Sequence, residues 1–315
     1  MTFAQGCETN QTLASDPTGS FTAAKQAAAA ADVTVLAVGL TAHVRDAHGV
    51  GHEEEMSDRL SLNLPQVQLD LISAVRAVAK KLVLVIVSGS AVPFNESSAD
   101  AAVYAIYGGA EAGNGLADVL FGSVAPSGRL PFTVFKSLDQ IKPMSNYDLT
   151  TSPGRTHLYY TETDVAAHGA PQFWFGFGLS YSTFSFANLH LELGPAGGAC
   201  SMTASVTVTN TGSTAAREVA QLYLNRPAPS SGVPLAKWAL KGFQRSESLA
   251  PGASATLNFV LTFHDLSTVN SDGSRQLSAG TYNVQLGGGH PRDARVTAKP
   301  ALASISIAEN RCTAP

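Results

Sequence analysis

An uninterrupted apolar run at residues 82–87, Leu-Val-Leu-Val-Ile-Val, is the feature that most constrains the fold. A strand with one solvated face alternates between apolar and polar residues, whereas a strand of a covered parallel sheet does not. Two further runs, at residues 33–38 and 101–109, are also rich in Val, Ala and other apolar residues. Together they predict buried strands of one parallel sheet.

Helical patterns separate these strands. Residues 21–31 are rich in alanine, and residues 66–82 place apolar side chains at helical spacing. The segment 112–134 then predicts a helix near residues 116–121, a Gly/Pro turn and a fourth strand. This alternation of strand and helix is typical of an α/β domain that extends to about residue 135.

The pattern changes after residue 185. Residues 201–212 alternate with a period of two, and short strand-like segments separated by turn residues follow. Such spacing indicates a β-sandwich of about 100 residues, whose core is expected to include Trp238 and Phe243. The predicted domains are therefore residues 1–185, of which 136–185 form a connection, and residues 186–315.

Composition excludes several classes of protein. Only 14% of the 315 residues are charged and the net charge is −4, which argues against nucleic acid or an anionic membrane as a partner. No apolar run reaches the roughly 18 residues that a membrane span requires. Three cysteines are too few for a disulfide framework or a thiolate metal site, although a secreted chain could form one pair. The N-terminus has no basic and apolar segments, so no signal peptide is expected.

A polar loop follows the first strand after Gly39. It contains three adjacent carboxylates, Glu53–Glu55, and then Asp58 and Arg59. Loops at the carboxyl ends of parallel strands commonly carry ligands and catalytic groups, and adjacent carboxylates raise one another's pKa. Chemistry is therefore predicted in this loop.

Two other motifs do not predict a metal or a cofactor. The loop histidines, His43, His48 and His52, match no standard metal-ligand spacing. The glycine-rich segment 108–115 lacks the Lys-Ser/Thr pair of a phosphate-binding loop, and tight-turn packing explains it better.

Taken together, these segments resemble the C-terminal part of glycoside hydrolase family 3, in its β-xylosidase/α-L-arabinofuranosidase branch. The segments that match this branch in the first domain are 28–40, 53–59, 61–72, 113–133, 152–160 and 175–184. The segments that resemble the fibronectin type III-like domain of these enzymes are 206–212, 218–224, 240–245, 249–252 and 280–288.

The resemblance implies an enzyme with an N-terminal barrel that carries a nucleophilic aspartate, an α/β sandwich, and a fibronectin-like domain. It implies that Glu53 is the general acid/base, with Glu55 as the second choice. Asp58, Arg59 and Arg155 are the implied substrate-binding residues. The implied reaction is hydrolysis, with retention, of terminal xylosyl or arabinosyl residues from xylan or arabinan, and it needs no cofactor.

The sequence departs from the family pattern in two respects. The loop from Gly39 to Glu53 is longer than is usual in this branch, and no segment resembles the barrel. We therefore expect the chain alone to be inactive, and a barrel to act on xylo- or arabino-oligosaccharides with it in cis or in trans. The family implies an extracellular or cell-wall location. A non-catalytic carbohydrate-binding or protein-interaction module remains the alternative.

Overall fold

The computed structural model describes residues 1–7, 21–41, 59–194, 200–296 and 298–308. The chain forms two compact units. The first comprises residues 1–117 and 134–138, and the second comprises residues 118–133 and 139–315. The predicted boundary between residues 185 and 186 is a different division of the chain and stays a prediction.

The first unit contains a three-stranded parallel sheet in the order β1-β2-β3. Its strands are β1 (Thr34–Gly39), β2 (Leu82–Val87) and β3 (Ala101–Tyr104). The helices that alternate with them are α1 (Thr22–Ala30), α2 (Gln66–Arg76) and α3 (Ala112–Leu120), the last of which ends in the second unit. The predicted α/β class with a parallel sheet is confirmed.

Helix α2 shows why the sequence pattern succeeded here. Its apolar residues Val67, Leu71, Ile72 and Val75 recur at helical spacing, and all four are buried. Pro65 stands directly before the helix, where the rigid ring and the missing N–H do not disturb helical hydrogen bonds. Burial of this apolar stripe fixes α2 against the sheet.

The sheet is covered less completely than the sequence predicted. In the central strand β2, Leu84 and Ile86 are fully buried. Val33, which directly precedes β1, is 57% exposed and Val35 within β1 is 50% exposed, so the prediction of a buried first strand is wrong for the described part of the chain. The reason is that β1 pairs only with β2 in the described sheet and alternates between a covered and an open face.

The predicted fourth strand, at the end of the segment 112–134, does not form. Leu130 instead donates its backbone N–H to the carbonyl O of Phe177 at 2.8 Å and accepts from the N–H of Gly176 at 2.8 Å. Pro131 has no N–H to donate to a ladder. Val134 is fully buried, but it lies outside every strand of the described sheets.

The second unit contains an antiparallel β-sandwich. Its two sheets have the strand orders β4-β5-β8 and β12-β11-β6-β7, and β9 and β10 form a short ribbon. The strands are β4 (Phe184–Leu193), β5 (Met202–Asn210), β6 (Val219–Asn225), β7 (Ala239–Arg245), β8 (Ser254–Leu261), β9 (Thr268–Val269), β10 (Arg275–Gln276), β11 (Gly280–Gly287) and β12 (Ala301–Ile307). The helices of this unit are α4 (Thr156–Tyr159), α5 (Glu162–His168) and α6 (Phe263–Leu266). The predicted β-sandwich is confirmed.

Alternate residues of the sandwich strands form its core, as the period of two predicts. The prediction that Phe243 belongs to this core is wrong, because its side chain is 72% exposed. On β7 the inward position belongs to Gly242, where a Cβ would lie 2.9 Å from the ring of Phe259. Phe243 therefore points outward, and Trp238 is only half-buried.

Among the described residues, no helix is both long enough and apolar enough to cross a membrane.

Candidate functional site

The carboxyl edge of the parallel sheet is the candidate site in the first unit. At the end of β1, the side chain of Gln68 accepts a hydrogen bond from the Gly39 N–H at 2.9 Å and donates one to the Gly39 carbonyl O at 2.8 Å. A Cβ at Gly39 would lie 1.8 Å from the carbonyl O of Val87, so only glycine lets β1 and β2 end this close together. The polar loop thus leaves the sheet from a fixed point.

Arg59 fixes the other end of the loop. Its Nη2 donates to the Ser90 Oγ and to the Ala91 carbonyl O, both at 3.0 Å, and its Nη1 donates to the Leu62 carbonyl O at 3.2 Å. Ser90 is held by Ser88, whose Oγ donates to the Ser90 carbonyl O at 2.9 Å. Since these serines directly follow β2, both ends of the loop are attached to the carboxyl ends of adjacent strands.

Two tyrosines at the end of β3 complete this edge. The Tyr104 hydroxyl donates to the Val92 carbonyl O, and the Tyr107 hydroxyl donates to the Leu40 carbonyl O at 2.9 Å. Burial raises the pKa of Tyr104 above its ordinary value, so the phenol stays a neutral donor. The edge therefore combines one cation with neutral hydroxyl groups and can fix a loop that carries carboxylates.

Sequence reasoning identified Arg59 but missed the serines and tyrosines of this edge. Their only sequence signal is that they lie at or directly after the ends of apolar runs. Glu53, Glu55 and Asp58, together with the loop histidines, lie outside the described residues. Their predicted roles, and the role of Arg59 in substrate binding, stay predictions.

Arg155 lies in the second unit and braces a loop there. Its Nη2 donates to the carbonyl O atoms of Pro143 at 2.8 Å and Asn146 at 2.5 Å, and its Nε donates to the same Asn146 oxygen at 3.1 Å. The buried Lys142 holds the same loop by donating to the Asp148 carbonyl O at 2.8 Å. These contacts give Arg155 a structural role, and its predicted contact with substrate stays a prediction.

A second feature, here called the histidine–aromatic cluster, comprises His157, Tyr160, Trp174, Phe175 and His290. His157 stacks on Phe175 at 4.1 Å between ring centroids, and His290 stacks on Trp174 at 4.9 Å. The two imidazoles lie edge to face at 5.6 Å. Burial lowers the pKa of His157 to about 4 and that of His290 to about 2, so both rings are neutral near neutral pH.

Arg292 connects this cluster to the residues around it. Its Nε donates to a Glu162 carboxylate oxygen at 3.0 Å, and its Nη1 donates to the Tyr160 carbonyl O at 2.8 Å. Lys237 donates to the other Glu162 oxygen at 2.8 Å. Burial alone would raise the pKa of Glu162, but the hydrogen bonds from Lys237 and Arg292 outweigh it and hold this pKa at about 2. The histidine–aromatic cluster is thus a packed element with Arg292, Lys237 and Glu162 at its border.

No group of three His, Cys, Asp or Glu side chains that could hold a metal ion occurs in the described part of the chain. The loop histidines lie outside that part of the chain.

Comparison with known proteins identifies both domains. Residues 6–181 match the glycosyl hydrolase family 3 C-terminal domain, and residues 218–289 match the fibronectin type III-like domain. The chain belongs to glycosyl hydrolase family 3. The two matches account for a parallel sheet and a β-sandwich in one chain.

The relatives carry more than one enzyme name. The chain is 36% identical over 270 residues to a periplasmic beta-glucosidase of Salmonella typhimurium, an alignment that covers 84% of this chain and 34% of that protein. It is 31% identical to a beta-xylosidase of Formosa agariphila, in an alignment that covers 92% of this chain and 38% of that protein. Family 3 membership is thus shown, whereas the narrower xylosidase/arabinofuranosidase branch is not distinguished.

Solved structures give the same result. The structure superposes on beta-glucosidase D2-BGL from Chaetomella raphigera with a TM-score of 0.74 at 30% identity. The superposition covers 90% of this chain and 41% of the beta-glucosidase. A beta-glucosidase from Kluyveromyces marxianus in complex with glucose gives a TM-score of 0.74 at 29% identity, and the superposition covers 91% of this chain and 33% of that enzyme. The chain therefore spans between a third and about two fifths of the length of these relatives.

Proposed function

We propose that this family 3 chain supplies the general acid/base carboxyl group of a retaining glycoside hydrolase. Glu53 is the proposed residue and Glu55 is the second choice. The observation that supports the proposal is the attachment of the loop between Gly39 and Arg59, because both of its ends are held at the carboxyl edge of the parallel sheet.

The chemistry requires such a loop. Retaining hydrolysis uses two carboxyl groups about 5–5.5 Å apart, of which one attacks the anomeric carbon and the other transfers a proton. The acid must keep its proton near the working pH, and the neighbouring carboxylates at residues 53–55 raise a pKa in that direction. In this proposal Asp58, Arg59 and Arg155 contact the sugar hydroxyls. No cofactor takes part.

The nucleophile belongs, in this proposal, to an N-terminal barrel supplied in cis or in trans. The relatives compared above are between about two and three times as long as this chain, which leaves room for such a domain. Without the nucleophile the covalent route is closed, so we expect no hydrolysis by the chain alone.

The proposed substrates are terminal xylosyl or arabinosyl residues of xylan, arabinan and their oligosaccharides. The similarity to a xylan 1,4-beta-xylosidase of Xylanibacter ruminicola, 34% identical over 233 residues, supports this choice. A terminal glucosyl residue is the second candidate, and the similarity to the beta-glucosidase of Salmonella typhimurium at 36% identity favours it.

An extracellular or periplasmic location is part of the proposal. Cys200 is buried and disulfide-bonded, and disulfide bonds persist mainly in oxidising compartments. The name of the Salmonella relative places that protein in the periplasm.

The test uses a chimaera in which this chain replaces the matching C-terminal part of the beta-xylosidase of Formosa agariphila. Aryl β-xylosides, α-L-arabinofuranosides and β-glucosides with leaving groups of different pKa are the substrates. Loss of a general acid slows poor leaving groups by about 10²–10⁴-fold and good leaving groups far less. We expect this dependence for Glu53→Gln, whereas Glu54→Gln, a neighbour of the same chemistry, serves as the matched control.

Other outcomes would change the assignment. If Glu55→Gln shows the leaving-group dependence and Glu53→Gln does not, the acid/base is Glu55. Burst release of an aryl group by the isolated chain, abolished by Glu53→Gln, would contradict the absence of a nucleophile. Saturable binding of xylo-oligosaccharides by the chimaera without any turnover would support a binding module instead.

A further inference from the structure

Three cations meet at one end of the β-sandwich. Arg226 directly follows β6, Lys241 lies on the adjacent strand β7, and Arg275 lies on β10. Arg226 donates a hydrogen bond to the Ser267 carbonyl O, and the Arg275 Nη1 donates to the Ser267 Oγ at 3.3 Å. Two guanidinium groups therefore converge on a single serine. Arg226, Lys241, Ser267 and Arg275 are here called the cationic site.

No carboxylate neutralises these charges at short range. Among the described residues, none lies within 4.0 Å of the charged nitrogens of Arg226, Lys241 or Arg275. The carboxylate that acts on Arg226 and Lys241 from a greater distance is that of Asp265. Its Oδ2 is engaged in the capping of α6, where it accepts from the N–H of Thr262 at 2.9 Å and from the Thr262 hydroxyl at 2.8 Å.

Arg226 is also incompletely hydrogen-bonded. Its Nε is buried and has no hydrogen-bond partner among the described residues. Removing a guanidinium from water without a matching acceptor or counter-charge is costly. Two phenols, those of Tyr159 and Tyr282, lie near enough to act on it electrostatically, but neutral phenols do not balance its charge.

The cations also act on one another. Burial lowers the pKa of Lys241, and the charges of Arg226 and Arg275 lower this pKa further. The pKa of Arg226 is likewise lowered by burial and by Arg275. A bound anion would counter this repulsion.

We propose that the cationic site binds a small oxyanion, either a carboxylate or a phosphate group. The planar guanidinium fork matches the oxygens of both groups, and a lysine ammonium adds a point charge. The carboxylate source would be an acidic sugar, such as a glucuronyl unit of a polysaccharide, and the phosphate source would be the free ion. The site lies in the β-sandwich, so the inference stands apart from the acid/base proposal for Glu53.

The test is calorimetric titration of the full chain at low ionic strength with sodium phosphate, with sodium glucuronate and with glucose as the neutral counterpart. We expect saturable binding of at least one anion, none of glucose, and weaker binding as sodium chloride is added. Lys241→Met keeps most of the side-chain length and should weaken binding at least tenfold. Arg226→Met should do the same, and thermal unfolding of each variant shows whether it folds.

The matched control is Arg245→Met, on the same strand as Lys241 but outside the cationic site, and it should bind as the unchanged chain does. Binding of glucuronate alone would identify a sugar carboxylate as the ligand, and binding of phosphate alone would identify the free ion. Both results support an oxyanion site. The proposal is overturned if no anion binds saturably, or if Lys241→Met binds as tightly as the control variant.

Discussion

Replacement of His157 by phenylalanine should make the second unit less sensitive to acid. His157 stacks on Phe175, and its edge-to-face neighbour is His290. The charged groups nearest to this pair are Arg292 and its partner Glu162. A phenylalanine ring can keep the stacking contact, but it cannot take up a proton. The variant therefore separates the charge of His157 from its packing.

The magnitude follows from the two pKa values. Burial lowers the pKa of His157 from 6.5 to about 4, so the unfolded chain binds a proton below pH 6.5 that the folded chain does not. Stability is therefore fully present above pH 6.5 and is lost as the pH falls towards 4, by up to about 1.4 kcal/mol per unit. Over this window of about 2.5 pH units, the unfavourable protonation of His157 should lower the free energy of unfolding by about 3 kcal/mol. The lowered pKa of His290 means that acid also reduces stability through this residue.

Urea unfolding, followed by tryptophan fluorescence between pH 4 and 7, measures this effect. Both tryptophans, Trp174 and Trp238, lie in the second unit, so the signal reports on that unit. We expect the free energy of unfolding of His157→Phe to fall less steeply with decreasing pH than that of the unchanged chain. His190→Phe, at an exposed position on β4, is the control and should leave the slope unchanged. Equal slopes for His157→Phe and the unchanged chain would refute the reasoning.

Three further predictions concern stability. Arg129→Met should lower the free energy of unfolding in urea by about 3–5 kcal/mol, because it leaves the Glu218 carboxylate buried without a counter-charge; at present both oxygens of Glu218 accept from the Arg129 Nη2 at 2.8 Å. A cost below about 1 kcal/mol would contradict this. Gly39→Ala should give a lower melting temperature or insoluble protein, since its Cβ would overlap the Val87 carbonyl O, and an unchanged melting temperature would show that the strands can separate there. Gly115→Ala, in α3 with no atom within 4 Å of the new Cβ, should raise stability by about 0.5–1 kcal/mol, and a loss would indicate a contact outside the described residues.

The parts of the fold that were predicted correctly are those in which the information is local. Helix α2 and the strands β5 and β11 bury the side chains that their own spacing selects, so each pattern could be read without its neighbours. Strand β7 shows where this fails. A register shift between β6 and β7 interrupts the alternation of inward and outward side chains on β7 and places Phe243 on the outer face. The sequence of a single strand does not reveal such a bulge.

The sites depend still more on distant contacts. His157 and His290 lie far apart in the chain and meet only when the segment after β11 folds against α4. The cations of the cationic site likewise come from separate strands, so the sequence showed them only as isolated charges. The run of carboxylates at residues 53–55 was visible because its members are adjacent in sequence.

The attachment of the two ends would let a longer loop serve the proposed acid/base chemistry. Gln68 holds the backbone of Gly39 at one end, and Arg59 holds Ser90 and Ala91 at the other, so neither anchor depends on the length of chain between them. Loop-closure entropy grows slowly, by about 0.6 kcal/mol for each doubling of length, and a few added residues therefore cost little. What must be kept is the position of the two ends. If the proposed acid/base role holds, changes to Gln68 or Arg59 should therefore disturb it more than insertions between the two ends.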